Sequence, residues 1–121
     1  MSFETLSIIT AVAASLLGLG WLTAGKLMIR RWGGDPGDMA LVNGRRIGAA
    51  YLSFALLFFL AHSTTSTELI TALSIVGLSA NGLLGMLGLY EFLMRRVNAS
   101  MFLSIAVELC LAIGFARILL A

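Results

Sequence analysis

A single cysteine, Cys110, has no partner within the chain, which excludes an intrachain disulfide framework. With one histidine, His62, and no C-x-x-C or H-x-x-x-H pattern, the usual zinc and redox motifs are absent. No glycine-rich loop follows a strand pattern, so nothing reads as a phosphate cradle. Charge is scarce: eight Lys and Arg against six Asp and Glu give a formal net charge of +2, too little to point to nucleic acid. No set of residues satisfies a catalytic pattern, and the chain is expected to be no enzyme and to hold no metal or cofactor. The only proline, Pro36, lies in RRWGGDPGD, a turn-rich connector.

What fills the chain instead is apolar. Of the 121 residues 60% are hydrophobic and 12% charged, and mean hydropathy is +1.00. A soluble domain is about half apolar and could not bury that much. A membrane-crossing helix needs roughly 20 apolar residues, and the chain offers such runs at about 6–29, 42–62, 68–94 and 99–120. The N-terminal MSFETLSII has no basic stretch or small-residue cleavage pattern and is expected to stay as part of the first span. Brief connections force consecutive spans to run antiparallel. The expected fold is a single all-α domain over residues 1–121, an integral membrane four-helix up-and-down transmembrane bundle. Asp35 and Asp38 are expected to cap the second span, and Thr65 with Glu68 forms an S/T-x-x-E start for the third.

Charge placement predicts how the chain is threaded. Arg30, Arg31, Arg45 and Arg46 flank the first loop, with Lys26 just inside it, and Arg95 and Arg96 mark the third; the N-terminus and HSTTSTE carry no Lys or Arg. Loops rich in Lys and Arg stay cytoplasmic, so loops one and three are expected inside, with loop two and both termini outside. In a bacterial inner membrane that outside is the periplasm.

Small residues at three- and four-residue spacing allow close backbone approach in lipid. Gly77, Gly85 and Gly88 fall on one face of the third span, Gly44 and Gly48 on one face of the second, and Gly18 and Gly25 with Trp21 on the first. These stripes predict helix packing, and because four narrow helices leave such stripes seeking partners, they predict a homo-oligomer or a place in a larger membrane complex, with lipids as the other partner.

Four groups of polar residues stand out. Glu108 lies ten residues past Asn98, about 15 Å along a helix and so near the middle of a ~30 Å hydrocarbon core. Asn81 reaches a similar depth from the other side. Asn81 is expected to donate to Glu108, with Ser104 one turn away as a further partner, forming a ligand-binding or proton site or else a register-fixing hydrogen bond. At neutral pH a lone carboxyl at that depth is expected to carry its proton. Glu91 precedes Arg95 by four residues, the favourable order for a helical ion pair, and Arg45 and Arg46 reach the same level, so these four are expected to form a structural ionic cluster. Arg117 lies half a turn around the helix from Glu108 and is expected at the outer interface. His62 is expected at the outer end of the second span.

The segment GRRIGAAYLSFALLFFLA, an arginine followed by a glycine and a tyrosine entering the second span, resembles the small four-helix bacterial inner-membrane proteins of DoxX-like type. The resemblance, which otherwise rests on hydropathy over the whole length, implies a four-helix bundle and an accessory role beside redox or transport machinery. The leading reading is a non-enzymatic accessory subunit or oligomeric scaffold. The alternative is a small transporter or lipophilic-ligand binder that uses Asn81 and Glu108, with an ion channel behind both. A cavity beside Glu108 favours the binder; tight packing of Gly77 and Gly85 on the fourth span favours the scaffold.

Overall fold

A computed structural model describes residues 1–121 as five helices: α1 Phe3–Thr23, α2 Gly25–Arg31, α3 Asp38–Ala61, α4 Thr67–Leu93 and α5 Met101–Leu120. Four of them, α1, α3, α4 and α5, are long and apolar enough to cross a membrane. The fold is all-helical, as the four long apolar runs predict.

The first span is shorter than its hydropathy suggests. Instead of running to residue 29, α1 stops at Thr23, Ala24 adopts φ −134° and ψ 39°, and the chain restarts as the seven-residue α2. Hydropathy does not register the reason. Gly18, Gly20 and Gly25 weaken helix propensity around the break, and the Thr23 hydroxyl donates to the Leu19 carbonyl 2.6 Å away. Past the break the chain turns so that Met28 packs over Gly20, where an added Cβ would lie 3.2 Å from its sulfur. Trp32 meets Trp21 edge to face, ring centroids 5.8 Å apart. Lys26, Arg30 and Arg31 therefore belong to α2, outside the span.

Capping also differs by a residue in two places. Ser66, rather than Thr65, caps α4, its hydroxyl accepting from the Leu69 N–H at 3.3 Å. Gly37 is the residue before α3, and Asp38 is the first helical residue, without a capping hydrogen bond. There its carboxylate still faces the positive end of the helix dipole.

Helix pairing follows the glycines. α1 packs along α3, and α4 along α5. In the first pair Gly18 and Gly48 face each other so closely that a Cβ on Gly18 would sit 2.9 Å from the Gly48 carbonyl oxygen, and one on Gly48 2.8 Å from that of Gly18. Gly44 lies under the Trp21 ring, a Cβ there falling 2.6 Å from its edge. In the second pair Gly77 receives the Phe115 ring, Gly85 receives Leu109 and Gly88 receives Ile105, with Cβ clearances of 2.5, 2.7 and 2.9 Å. Gly18, Gly44, Gly48, Gly77, Gly85 and Gly88 thus pack helices within one chain, while a Cβ on Gly25 would meet only Leu41, at 3.3 Å. The stripes are thereby spent, and they supply no argument for a homo-oligomer.

The molecule is thus two helical hairpins, α1–α3 and α4–α5, set against each other. At the end holding the chain's N-terminus, Phe3, Leu6, Ala11, Phe58, Ala61, Leu73, Leu111 and Phe115 form one apolar cluster. Within it Phe58 of α3 meets Phe115 of α5 at 5.4 Å between ring centroids. At the opposite end the Asn98 N–H donates to the Trp32 carbonyl at 2.9 Å, tying the third loop to the first. The hairpins are joined at both ends, and a gap remains between.

Candidate functional site

That gap is a pocket of about 320 Å³. Each of the four spanning helices contributes a polar side chain to it: Thr10 from α1, Tyr51 from α3, Asn81 from α4 and Glu108 from α5. The rest of the wall is apolar, with Leu17, Phe54 and Leu111 among its members. Ile47, Leu84 and Val107 line it while remaining exposed on the outer surface, so the pocket opens toward lipid. Ligand sites commonly enclose about 300–1,000 Å³, mostly apolar with a few convergent polar groups, and this pocket fits the lower end.

The sequence places these residues together for a simple reason. Thr10, Tyr51, Asn81 and Glu108 lie within the interiors of their helices, and antiparallel packing brings interiors to one level. Glycine governs what surrounds them. Gly77 and Gly85 flank Asn81 by one turn on either side, and both pull α4 tightly against α5. Gly44 and Gly48 draw α3 onto α1 one to two turns before Tyr51. Each hairpin is tight internally, so the slack falls between hairpins, where the four polar groups stand.

Asn81 and Glu108 share the pocket, but the expected hydrogen bond between them is not formed. Asn81 is buried, 7% exposed, and its Nδ2 donates to the Gly77 carbonyl one turn back at 2.9 Å. An Asn inside a helix can satisfy itself locally in this way, and the bond leaves its Oδ1 unpaired. Thr10 does likewise, its hydroxyl donating to the Leu6 carbonyl at 2.8 Å. Ser104, expected as a partner of Glu108, is half-buried on α5 and is not part of the pocket wall. Tyr51 takes that place. Neither Tyr51 nor Thr10 was expected at a site; the usable signal in the sequence was a tyrosine thirteen residues into an apolar helix, too deep for an interfacial anchor.

No Lys, Arg or His lines the pocket. Arg117 is exposed and lies along a separate groove with Met1 and Cys110, on the other side of α5, as the half-turn offset from Glu108 requires. The expected ionic cluster of Glu91, Arg95, Arg45 and Arg46 is also rearranged. Because α4 ends at Leu93 and Arg95 takes the left-handed conformation, φ 59°, the helical pairing of Glu91 with Arg95 is lost. Arg96 replaces it, with Nη1 3.1 Å from Oε2 of Glu91. That hydrogen bond raises the Arg96 pKa above its ordinary value. Arg45 and Arg46 are exposed and take no part in the ion pair.

His62 stands just past the end of α3, its ring nitrogen against the Phe59 carbonyl. Cys110 is exposed on α5 toward the lipid-facing groove. Neither reaches the pocket.

No protein-family model, curated protein or solved structure matches the chain.

Proposed function

We propose that this is a membrane protein that binds a small, mostly apolar ligand between its two helical hairpins, with Glu108, Tyr51 and Asn81 as the polar anchors. The observation that carries the reading is the pocket itself: a ligand-sized space at membrane depth, apolar in most of its wall, into which all four spanning helices send one polar group. Ionisable side chains inside a bilayer are costly and tend to mark ligand or ion sites. The tight glycine contacts also expected of a scaffold are present, yet they hold each hairpin together and leave the gap between hairpins unexplained. The ligand enters from the lipid through the opening beside Ile47 and Leu84, and uptake of this kind suits a carrier, a transporter or a ligand-sensing subunit.

The test is photolabelling in bilayers with decanol carrying a diazirine on its chain. Labels are expected to concentrate on the peptides containing Leu17, Ile47, Leu84 and Val107 and to be displaced by excess decanol. Replacing Ala50 with Trp, which fills the pocket from α3, is expected to cut that labelling at least tenfold. Labelling spread over the molecule in proportion to lipid exposure, with no competition, contradicts the reading.

The same proposal sets the protein in a bacterial inner membrane with the first and third loops in the cytoplasm. In support, Arg30, Arg31, Arg45, Arg46, Arg95 and Arg96 all flank these two loops, and the Asn98–Trp32 hydrogen bond keeps the loops at one end of the molecule. In a Cys110→Ala background, a membrane-impermeant thiol reagent applied from outside is expected to modify Thr65→Cys and spare Gly37→Cys. Gly37 has open space around it, so lysed cells provide the control for reactivity. Modification of Gly37→Cys alone in intact cells reverses the orientation.

A further inference from the structure

We infer that the ligand is a lipophilic amine, held by Glu108 as an ammonium ion; this rests on the pocket being a ligand site and goes on to name the ligand's chemistry. Thr10 has committed its hydroxyl hydrogen to Leu6 and Asn81 one amide hydrogen to Gly77. What remains is mostly acceptors, the two carboxyl oxygens of Glu108, Oδ1 of Asn81 and the Tyr51 and Thr10 oxygens, against fewer donors: the Tyr51 O–H, the second Asn81 amide hydrogen and the Glu108 carboxyl proton. A ligand that complements such a wall brings donors, and a primary ammonium brings three.

Charge points the same way. Among the residues facing Glu108, α1 supplies Thr10, α3 Tyr51 and α4 Asn81, and no Lys, Arg or His comes from any of the four helices. The chain leaves the acid without a cation, and a buried carboxylate is tolerable only when paired. An ammonium supplies what the chain omits. Tyr51 and Phe54, from consecutive turns of α3, also line the pocket, and aromatic faces attract cations in a desolvated setting. The alkyl or aryl body of the amine then lies among Leu17, Leu84 and Leu111. The proton balance is closed: an amine arriving neutral takes the proton of the Glu108 carboxyl, and one arriving as ammonium displaces that proton to water. Both routes end in the same ammonium–carboxylate pair.

A neutral hydroxyl-bearing ligand is the competing chemistry, since its oxygen would accept from Tyr51 and from a protonated Glu108. The experiment separates the two. Two photoprobes of one shape are used in bilayers, a diazirine-bearing decylamine and the matching decanol, and labelling of the pocket peptides is titrated for each. Wild type is expected to take the amine at concentrations at least tenfold lower than the alcohol. In Glu108→Gln that preference is expected to vanish, the two probes labelling at similar concentrations, and a helix content by circular dichroism equal to wild type shows that the variant folds. Glu108→Asp, which keeps the acid on a shorter stem, is expected to retain a reduced preference. Equal labelling by both probes in wild type, or a preference that survives in Glu108→Gln, overturns the amine assignment and leaves the pocket standing. Pocket labelling by neither probe overturns the ligand site itself.

Discussion

Phe58→Ala is expected to destabilise the bundle by about 3 kcal/mol, the low end of the range for emptying a buried phenylalanine site. Phe58 is fully buried, 0% exposed, and its ring lies 4.7 Å from Phe54 and 5.4 Å from Phe115, centroid to centroid. In lipid the water-transfer part of that cost shrinks, because an unpaired helix still sits in hydrocarbon. Lost dispersion contacts and the cavity remain, which is why the low end applies. The Phe58–Phe115 contact also joins one hairpin to the other, so its loss is expected to let the hairpins separate before either melts. Reversible unfolding in mixed micelles measures the free energy, and Phe59→Ala is the control. Phe59 is 56% exposed to the surroundings, and its truncation is expected to change stability by less than about 0.5 kcal/mol, as exposed positions usually do. Equal effects at the two sites contradict the assignment of Phe58 to the joint.

Gly77→Ala is expected to cost about 1–3 kcal/mol, the range for forcing extra volume into a filled site. A Cβ there would lie 2.5–2.7 Å from three atoms of the Phe115 ring, and that ring has nowhere to go: it is fully buried and backed by Phe58. Gly82→Ala, five residues on along the same helix, meets nothing within 4 Å. It is expected to leave stability unchanged or raise it by up to about 1 kcal/mol through helix propensity. The same unfolding measurement decides both. A neutral Gly77→Ala shows that α4 and α5 are further apart than described.

Much of the fold was legible because the strongest signals in the sequence are one-dimensional. Apolar length marked the four spans, and small-residue spacing marked the faces of Gly44, Gly48, Gly77, Gly85 and Gly88. What escaped depends on backbone detail or on three dimensions. The break at Ala24 arises in an uninterrupted apolar run and from local glycine and threonine effects. Glu91 was assigned to Arg95 on the assumption that α4 continued; once Arg95 turns left-handed, Arg96 is the arginine within reach. Asn81 was expected to seek Glu108 because both lie deep, yet a carbonyl of its own helix was closer. Tyr51 and Thr10 were missed because short loops say which helices are neighbours, and say nothing of which neighbours leave a gap.

The central claim is that a pocket between the hairpins admits a lipophilic molecule to Asn81 and Tyr51. Solid-state NMR in deuterated bilayers tests it most directly, with perdeuterated protein carrying exchanged N–H and O–H protons and decanol as the only source of alkyl protons. Magnetisation is expected to pass from decanol to the Asn81 side-chain amide and to the Tyr51 hydroxyl, and not to the Gly77 amide, which is sealed under Phe115. Decanol signals that reach only outward-facing residues such as Leu83 and Leu103, with Asn81 as silent as Gly77, would contradict it.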